Sequence, residues 1–193
     1  MIKLSGLRLA FDTGFSLAVD ALRVREGEVF AIIGPNGAGK TTLLNAMALL
    51  NRPAEGTLEI MGRDALASAN KLPLRRAMAA VFSQPYLLND TVFNIVALPL
   101  KLRGSMDAAA VEEALELFRI THLRGRNAKT LSQGESHRAA LARAFVTRPR
   151  LLLLDEPFAS LDERVKESVI RDLRKVIKIS GAAVVLVTQD QAG

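Results

Sequence analysis

The nine residues Gly34-Pro35-Asn36-Gly37-Ala38-Gly39-Lys40-Thr41-Thr42 constrain this chain more than any other segment. They fit G-x-x-x-x-G-K-[ST], a loop that wraps a phosphate chain. The residue types follow from the physics. Glycines let successive backbone N–H groups turn inward around an anion, at the start of a helix whose dipole favours negative charge. Lys40 offers a mobile cation to the β- and γ-phosphates, and Thr41 offers a hydroxyl to Mg²⁺. The flanks agree. Val29-Phe30-Ala31-Ile32-Ile33 predicts a short buried strand before the loop, and residues 42–47 predict a helix after it.

Two further segments narrow the chemistry. Leu151-Leu152-Leu153-Leu154-Asp155-Glu156-Pro157 predicts a second buried strand with Asp155 at its carboxyl end. Ligands gather there in a parallel α/β sheet. Asp155 is placed to hold Mg²⁺, directly or through water. Glu156 points away from its neighbour if the chain stays extended, and a carboxylate beside a γ-phosphate can accept the proton of an attacking water. Leu131-Ser132-Gln133-Gly134-Glu135 carries S-x-x-E, the spacing of a capping box that opens a helix. A capped helix start with a Ser hydroxyl and a Gly amide is also an anion site. The two readings are compatible.

In order along the chain, the phosphate loop, Gln84, LSQGE, LLLLDEP and Ala159-Ser160-Leu161-Asp162 resemble an ATP-binding cassette (ABC) ATPase, over nearly the whole length. The resemblance implies an α/β fold, a P-loop NTPase core with a mainly parallel sheet, an antiparallel β edge subdomain and an inserted helical subdomain. It makes residues 1–193 one domain, with 1–84 and 150–193 as the nucleotide-binding core and 85–149 as the helical part. ATP and Mg²⁺ are the implied cofactors. By position, Phe11 stacks on adenine, and Gln84 meets Mg²⁺ and relays to a transport partner. Ser132 and Gly134 touch the γ-phosphate held by an opposite subunit. Asp155 is the magnesium aspartate, Glu156 the catalytic glutamate, and Asp162 lies at the dimer seam. One phosphate loop and one signature per chain imply a homodimer with ATP sandwiched in it. An integral-membrane permease and, indirectly, a substrate-binding protein are the further implied partners. The implied place is the cytoplasm, at the inner face of the cell membrane. The runs Leu98-Pro99-Leu100-Lys101-Leu102-Arg103-Gly104 and Pro157-Phe158-Ala159-Ser160-Leu161-Asp162 look most like cassettes of small-anion importers, particularly the tungstate/molybdate group.

Three departures matter. The family signature usually reads LSGGQ, whereas Gln133 and Glu135 stand here. In Val187-Thr188-Gln189-Asp190, Gln189 takes the place of the switch histidine and joins Glu156 and Gln84 as a catalytic candidate. Its amide can hydrogen-bond a γ-phosphate but cannot become a cation. Family members also usually continue with another strand and helices beyond the position of Gly193, so the chain reads either as truncated at its C-terminal end or as an unusually short cassette. Two rivals stay open: an ABC-type ATPase of a soluble machine, and a cassette that clamps ATP with little turnover.

Composition agrees with a soluble domain, since no apolar run approaches the ~20 residues that span a bilayer. The start of the chain has no secretory pattern. Without cysteine, disulfides and thiolate metal sites are excluded. His122 and His137 read as surface or helix-start residues. The net charge of +6 concentrates between Arg119 and Arg150, where eight Arg and Lys face a single acid, Glu135. That block reads as a surface for ATP or anionic lipid, or as a solvated helix face. Nucleic acid is not expected, because Phe145 is the only aromatic interleaved with the charges. The apolar stretch 91–100 reads either as a face for a membrane partner or as core of the helical part.

Overall fold

Alternation of apolar and polar residues shapes the first sheet. In the structure, a computed structural model that describes residues 1–11, 14–159 and 161–189, β1 (Ile2–Ala10) buries Ile2, Leu4, Leu7 and Leu9. It pairs antiparallel with β2 (Ser16–Val24) and with β4 (Glu55–Ile60), and β5 (Arg63–Asp64) completes the order β2-β1-β4-β5. Ser160 and Asp190, quoted above with their motifs, lie outside the described residues.

The second sheet has the order β3-β8-β7-β6, built from β3 (Val29–Ile33), β6 (Met78–Val81), β7 (Leu151–Asp155) and β8 (Ala183–Thr188). The β3–β8 and β7–β8 pairs are parallel. β7 is buried at every position, as a continuous leucine run in a covered parallel strand should be. β3 corrects the expectation of a buried strand. It lies at the sheet edge, and Val29 and Ile33 remain 57% and 50% exposed. Periodicity cannot distinguish an edge from a centre.

The chain divides into two compact units. The first comprises Met1–Ala80, Arg150–Glu156 and Gly181–Gly193. Both sheets belong to it, apart from Val81, together with α1 (Lys40–Met47) and α2 (Ser68–Ala77). Its core joins Leu4, Leu58 and Ile60 of one sheet to Leu153 and Val185 of the other, with Leu44 and Met47 of α1.

The second unit comprises Val81–Pro149 and Pro157–Ser180. It holds α3 (Val92–Leu102), α4 (Ala108–Leu117), α5 (Gln133–Phe145) and α6 (Glu163–Ser180). Residues 157–180, grouped with the core by sequence, sit here because α6 packs on α5. The Arg138 guanidinium reaches the Asp172 carboxylate and donates to Ser168 Oγ at 2.9 Å. The apolar stretch 91–100 is largely core, with Val92, Ile95, Val96, Ala97 and Leu100 buried. Asp107 caps α4 by accepting from the Ala110 N–H at 3.1 Å.

The basic block meets acids that lie mostly outside it in sequence. Arg119 and Arg138 share Asp172, Arg124 pairs with Glu112, Arg148 with Glu113 and Arg150 with Glu26, while Arg126 takes Glu135. Six of its cations are thus neutralised within the chain, which weakens the reading of a free anion-binding surface. His137 is buried rather than at the surface, with 2% exposure. Among the described residues, no helix is long and apolar enough to cross a membrane.

Candidate nucleotide site

The phosphate loop leaves β3 at Ile33 and enters α1 at Lys40. Gly39 is the N-cap, at φ +87°. That backbone favours glycine, and a Cβ there would also press on Phe15 Cζ at 3.0 Å. No side chain caps α1, and no acid stands in its first turn. Its first N–H groups are therefore left for an external anion.

Lys40 is folded into this loop, only 8% exposed. Its Nζ donates to the carbonyls of Gly34 at 2.8 Å and Pro35 at 2.9 Å, and lies 3.9 Å from Glu156 Oε1. Thr41 Oγ1 donates to Asp155 Oδ1 at 3.0 Å. Burial pushes the Asp155 carboxyl above its ordinary range and the charge of Glu156 adds to this, while the Thr41 hydrogen bond and Lys40 oppose the rise. A buried carboxylate beside a hydroxyl is a pair of oxygen donors suited to a hard cation that keeps water and phosphate as its other ligands. No group of three or more His, Cys, Asp or Glu that could hold a metal occurs among the described residues. The Thr41 and Asp155 donor set fits Mg²⁺.

Glu156 parts from Asp155, but by a different route from the extended chain expected. Its backbone is left-handed, at φ +44°, and its N–H donates to the Val187 carbonyl at 2.9 Å. Non-glycine residues held in this region cluster at functional sites. Gln189 Nε2 donates to both Glu156 carboxylate oxygens, at 2.8 and 2.9 Å.

An open cavity of about 280 Å³ is lined by Phe15, Asn36, Gly37, Gly39, Lys40, Thr41, Thr42 and Glu156. Phe15 was not singled out from the sequence, and Phe11, which was, does not line the cavity. The Phe11 ring stands beside that of Phe15, centroids 6.1 Å apart and planes tilted by 38°. The available signal was the spacing of two aromatics across a turn, where the Phe11 N–H donates to the Phe15 carbonyl.

The remaining candidates belong to the second unit. Gln84 is exposed in the loop after β6. The capping box forms as read: the Glu135 N–H donates to Ser132 Oγ at 3.4 Å, and the Ser132 N–H to Glu135 Oε2 at 2.7 Å. Those bonds hold the Glu135 carboxyl below its usual range. Gly134 faces α6 so closely that a Cβ would meet Val165 Cγ1 at 2.7 Å, whereas Gln133 is exposed on the same turn. Asp162 Oδ1 accepts from the Val165 N–H at 3.0 Å, which makes it a cap for α6. His137, missed as a contact, places Nδ1 2.9 Å from the Gln133 carbonyl and Nε2 3.2 Å from that of Ser83, next to Gln84.

A helix start without a cap, and a cation already turned into the loop before it, suit a polyphosphate. Fold and site together define a phosphate-loop nucleotide hydrolase. The family model for the ABC transporter matches residues 18–159, and the chain belongs to that family; it is an ATP-hydrolysing cassette. The tungstate uptake system ATP-binding protein TupC of Peptoclostridium acidaminophilum is 38% identical over 196 residues, covering 99% of this chain and 89% of that protein. The methionine import ATP-binding protein MetN of Legionella pneumophila (strain Lens) is 35% identical over 98% of this chain, which spans 58% of that relative's length. Among solved structures, the cassette MJ0796, a dimer in a post-hydrolysis state bound to ADP and Pi, superposes with a TM-score of 0.86. It is 30% identical over 98% of this chain and 88% of that one.

Proposed function

We propose that this chain is the ATPase subunit of an importer for a small oxyanion, with tungstate or molybdate as cargo. Two copies close on ATP beneath an integral-membrane permease, at the cytoplasmic face of the membrane, and a substrate-binding protein delivers the anion. The observation that carries this reading is the 38% identity with a tungstate uptake protein across 99% of the chain. The geometry of the first unit supports the motor part. Backbone N–H groups at the start of α1 and the Lys40 ammonium receive the phosphates. Thr41 and Asp155, joined by Gln84, would hold Mg²⁺, which when bound offsets the charge of the phosphates. Glu156, at the cavity wall, accepts the proton of the attacking water. Phe15, with Phe11 behind it, takes the base by stacking. Ser132, Gly134 and Asp162 complete the site on the opposite copy.

Cargo is tested by uptake of labelled tungstate into cells that lack their own cassette and express this chain with its permease. Uptake should exceed that of the Lys40→Ala variant, and unlabelled molybdate should suppress it. Methionine uptake restored in place of tungstate uptake would overturn the substrate and leave the motor intact.

A further inference from the structure

Unpaired positive charge in the second unit gathers on α6, outside the block between Arg119 and Arg150. From its midpoint onward the helix carries Arg171, Arg174, Lys175 and Lys178, all exposed. At about 100° per residue these positions fall within an arc of about 100°. Val169, Leu173 and Val176 are buried on the opposite side. At a rise of about 1.5 Å per residue the row is about 10 Å long. Among the described residues, none of the four takes part in an ion pair or a side-chain hydrogen bond.

The acids of α6 do not offset the row. Asp172 is buried, and Arg119 and Arg138 hold it. Glu163 lies 4.0 Å from Lys166. Glu167 shares the face one turn before Arg171 but forms no ion pair with it. Arg171 with Arg174 and Lys175, and Lys178 with the same two, are like-charged neighbours three or four positions apart. Such pairs destabilise a helix, and an external anion relieves them. The helix dipole favours cations only near the last turn. It accounts for Lys178 and not for Arg171 and Arg174.

We infer that the row Arg171, Arg174, Lys175 and Lys178 is a docking surface for anionic lipid headgroups. Protein interfaces centre on aromatic and apolar anchors and are depleted in lysine, and the row contains no such anchor. Single-stranded nucleic acid is held by stacking on aromatic rings, and α6 has none. A lipid surface needs neither. It presents many mobile negative charges in a plane, which a straight row of flexible cations meets without fixed pairing. Ile179, 68% exposed beside Lys178, offers an apolar side chain to the same interface. Each Lys or Arg near such a surface strengthens partition about five-fold.

The test is co-sedimentation of the chain with vesicles of phosphatidylcholine, alone or mixed with phosphatidylglycerol. At about 0.1 M salt, where charges act over about 10 Å, the chain should bind the mixed vesicles only. At about 1 M, where that length is about 3 Å, it should be released. Arg171→Gln, Arg174→Gln, Lys175→Gln and Lys178→Gln together should weaken binding about 100-fold or more, with ATP hydrolysis unchanged and melting not lowered. Arg8, Arg124, Arg148 and Arg150 each stand in an exposed ion pair. Replacing those four with glutamine removes the same net charge and should cost less than about ten-fold. The exchange of Arg171→Lys, Arg174→Lys, Lys175→Arg and Lys178→Arg should keep binding within about two-fold. No binding to mixed vesicles by the wild type overturns the inference. So do equal losses in the two glutamine variants, or loss of binding in a folded exchange variant. An oligonucleotide that strips the chain from vesicles through the same four residues, at equal phosphate concentration, overturns it in favour of nucleic acid.

Discussion

Gly134 is a signature residue whose identity the structure explains by packing. A Cβ at this position would lie 2.7 Å from Val165 Cγ1. Carbon atoms prefer about 3.5–4.0 Å, so something must move by ~1 Å. Val165 cannot swing aside cheaply, because a β-branched side chain in a helix has one strongly preferred rotamer. Overpacking of this kind costs about 1–3 kcal/mol. Alanine in place of a helical glycine returns about 1 kcal/mol. Gly134→Ala should therefore destabilise the chain by roughly 0–2 kcal/mol, the difference of those terms. Removing the obstructing methyl groups with Val165→Ala should relieve it. The double variant should be more stable than additivity allows by about 1 kcal/mol or more. Urea unfolding of the four proteins, read as midpoints at constant slope, measures that coupling. Additivity within about 0.3 kcal/mol would refute the packing explanation. Phosphate release from the same proteins then assigns the remainder. A double variant that regains stability but not turnover shows that the opposite nucleotide also needs a bare backbone at Gly134.

Asp155→Asn should stabilise the nucleotide-free protein at neutral pH while abolishing hydrolysis. Burial raises the Asp155 carboxyl above 3.8, so its contribution to stability is full below that value and is lost as pH rises through the raised one. Asparagine does not titrate and can still accept from Thr41. Thermal melts should show the variant above wild type at pH 7 and the gap closing toward pH 4; a gap that ignores pH would contradict this. Phe15→Ala should weaken ATP binding by about five-fold or more, since stacking on a base is worth about 1–3 kcal/mol. Phe11→Ala should cost less, and titration with a fluorescent ATP analogue would expose the reverse order.

What the sequence made legible was local. The phosphate loop, the capping box at Ser132 and Glu135 and the leucines of β7 each follow from spacing within a few residues. What it hid was long-range. The acids that neutralise Arg119, Arg124, Arg138, Arg148 and Arg150 lie outside the basic block in sequence, so charge counting within it overstated the free surface. β3 carries the composition of a buried strand, yet the described sheet gives it one neighbour. Phe15 joined the site only when β2 brought it against Gly39. The hold of Gln189 on Glu156 spans 33 positions, and the left-handed backbone at Glu156 has no signature in composition. His137 belongs to the same kind: an isolated histidine on a helix gave no sign of the Ser83 carbonyl that meets it.

Whether the motor is a composite of two copies is decided most directly by phosphate release from Mg-ATP as protein concentration is raised, with Lys40→Ala as the blank. A site completed by Ser132 and Gly134 of a second copy predicts specific activity that climbs with concentration and vanishes in the blank. Specific activity that stays constant down to the lowest concentration, in protein shown to be monomeric there, would contradict it.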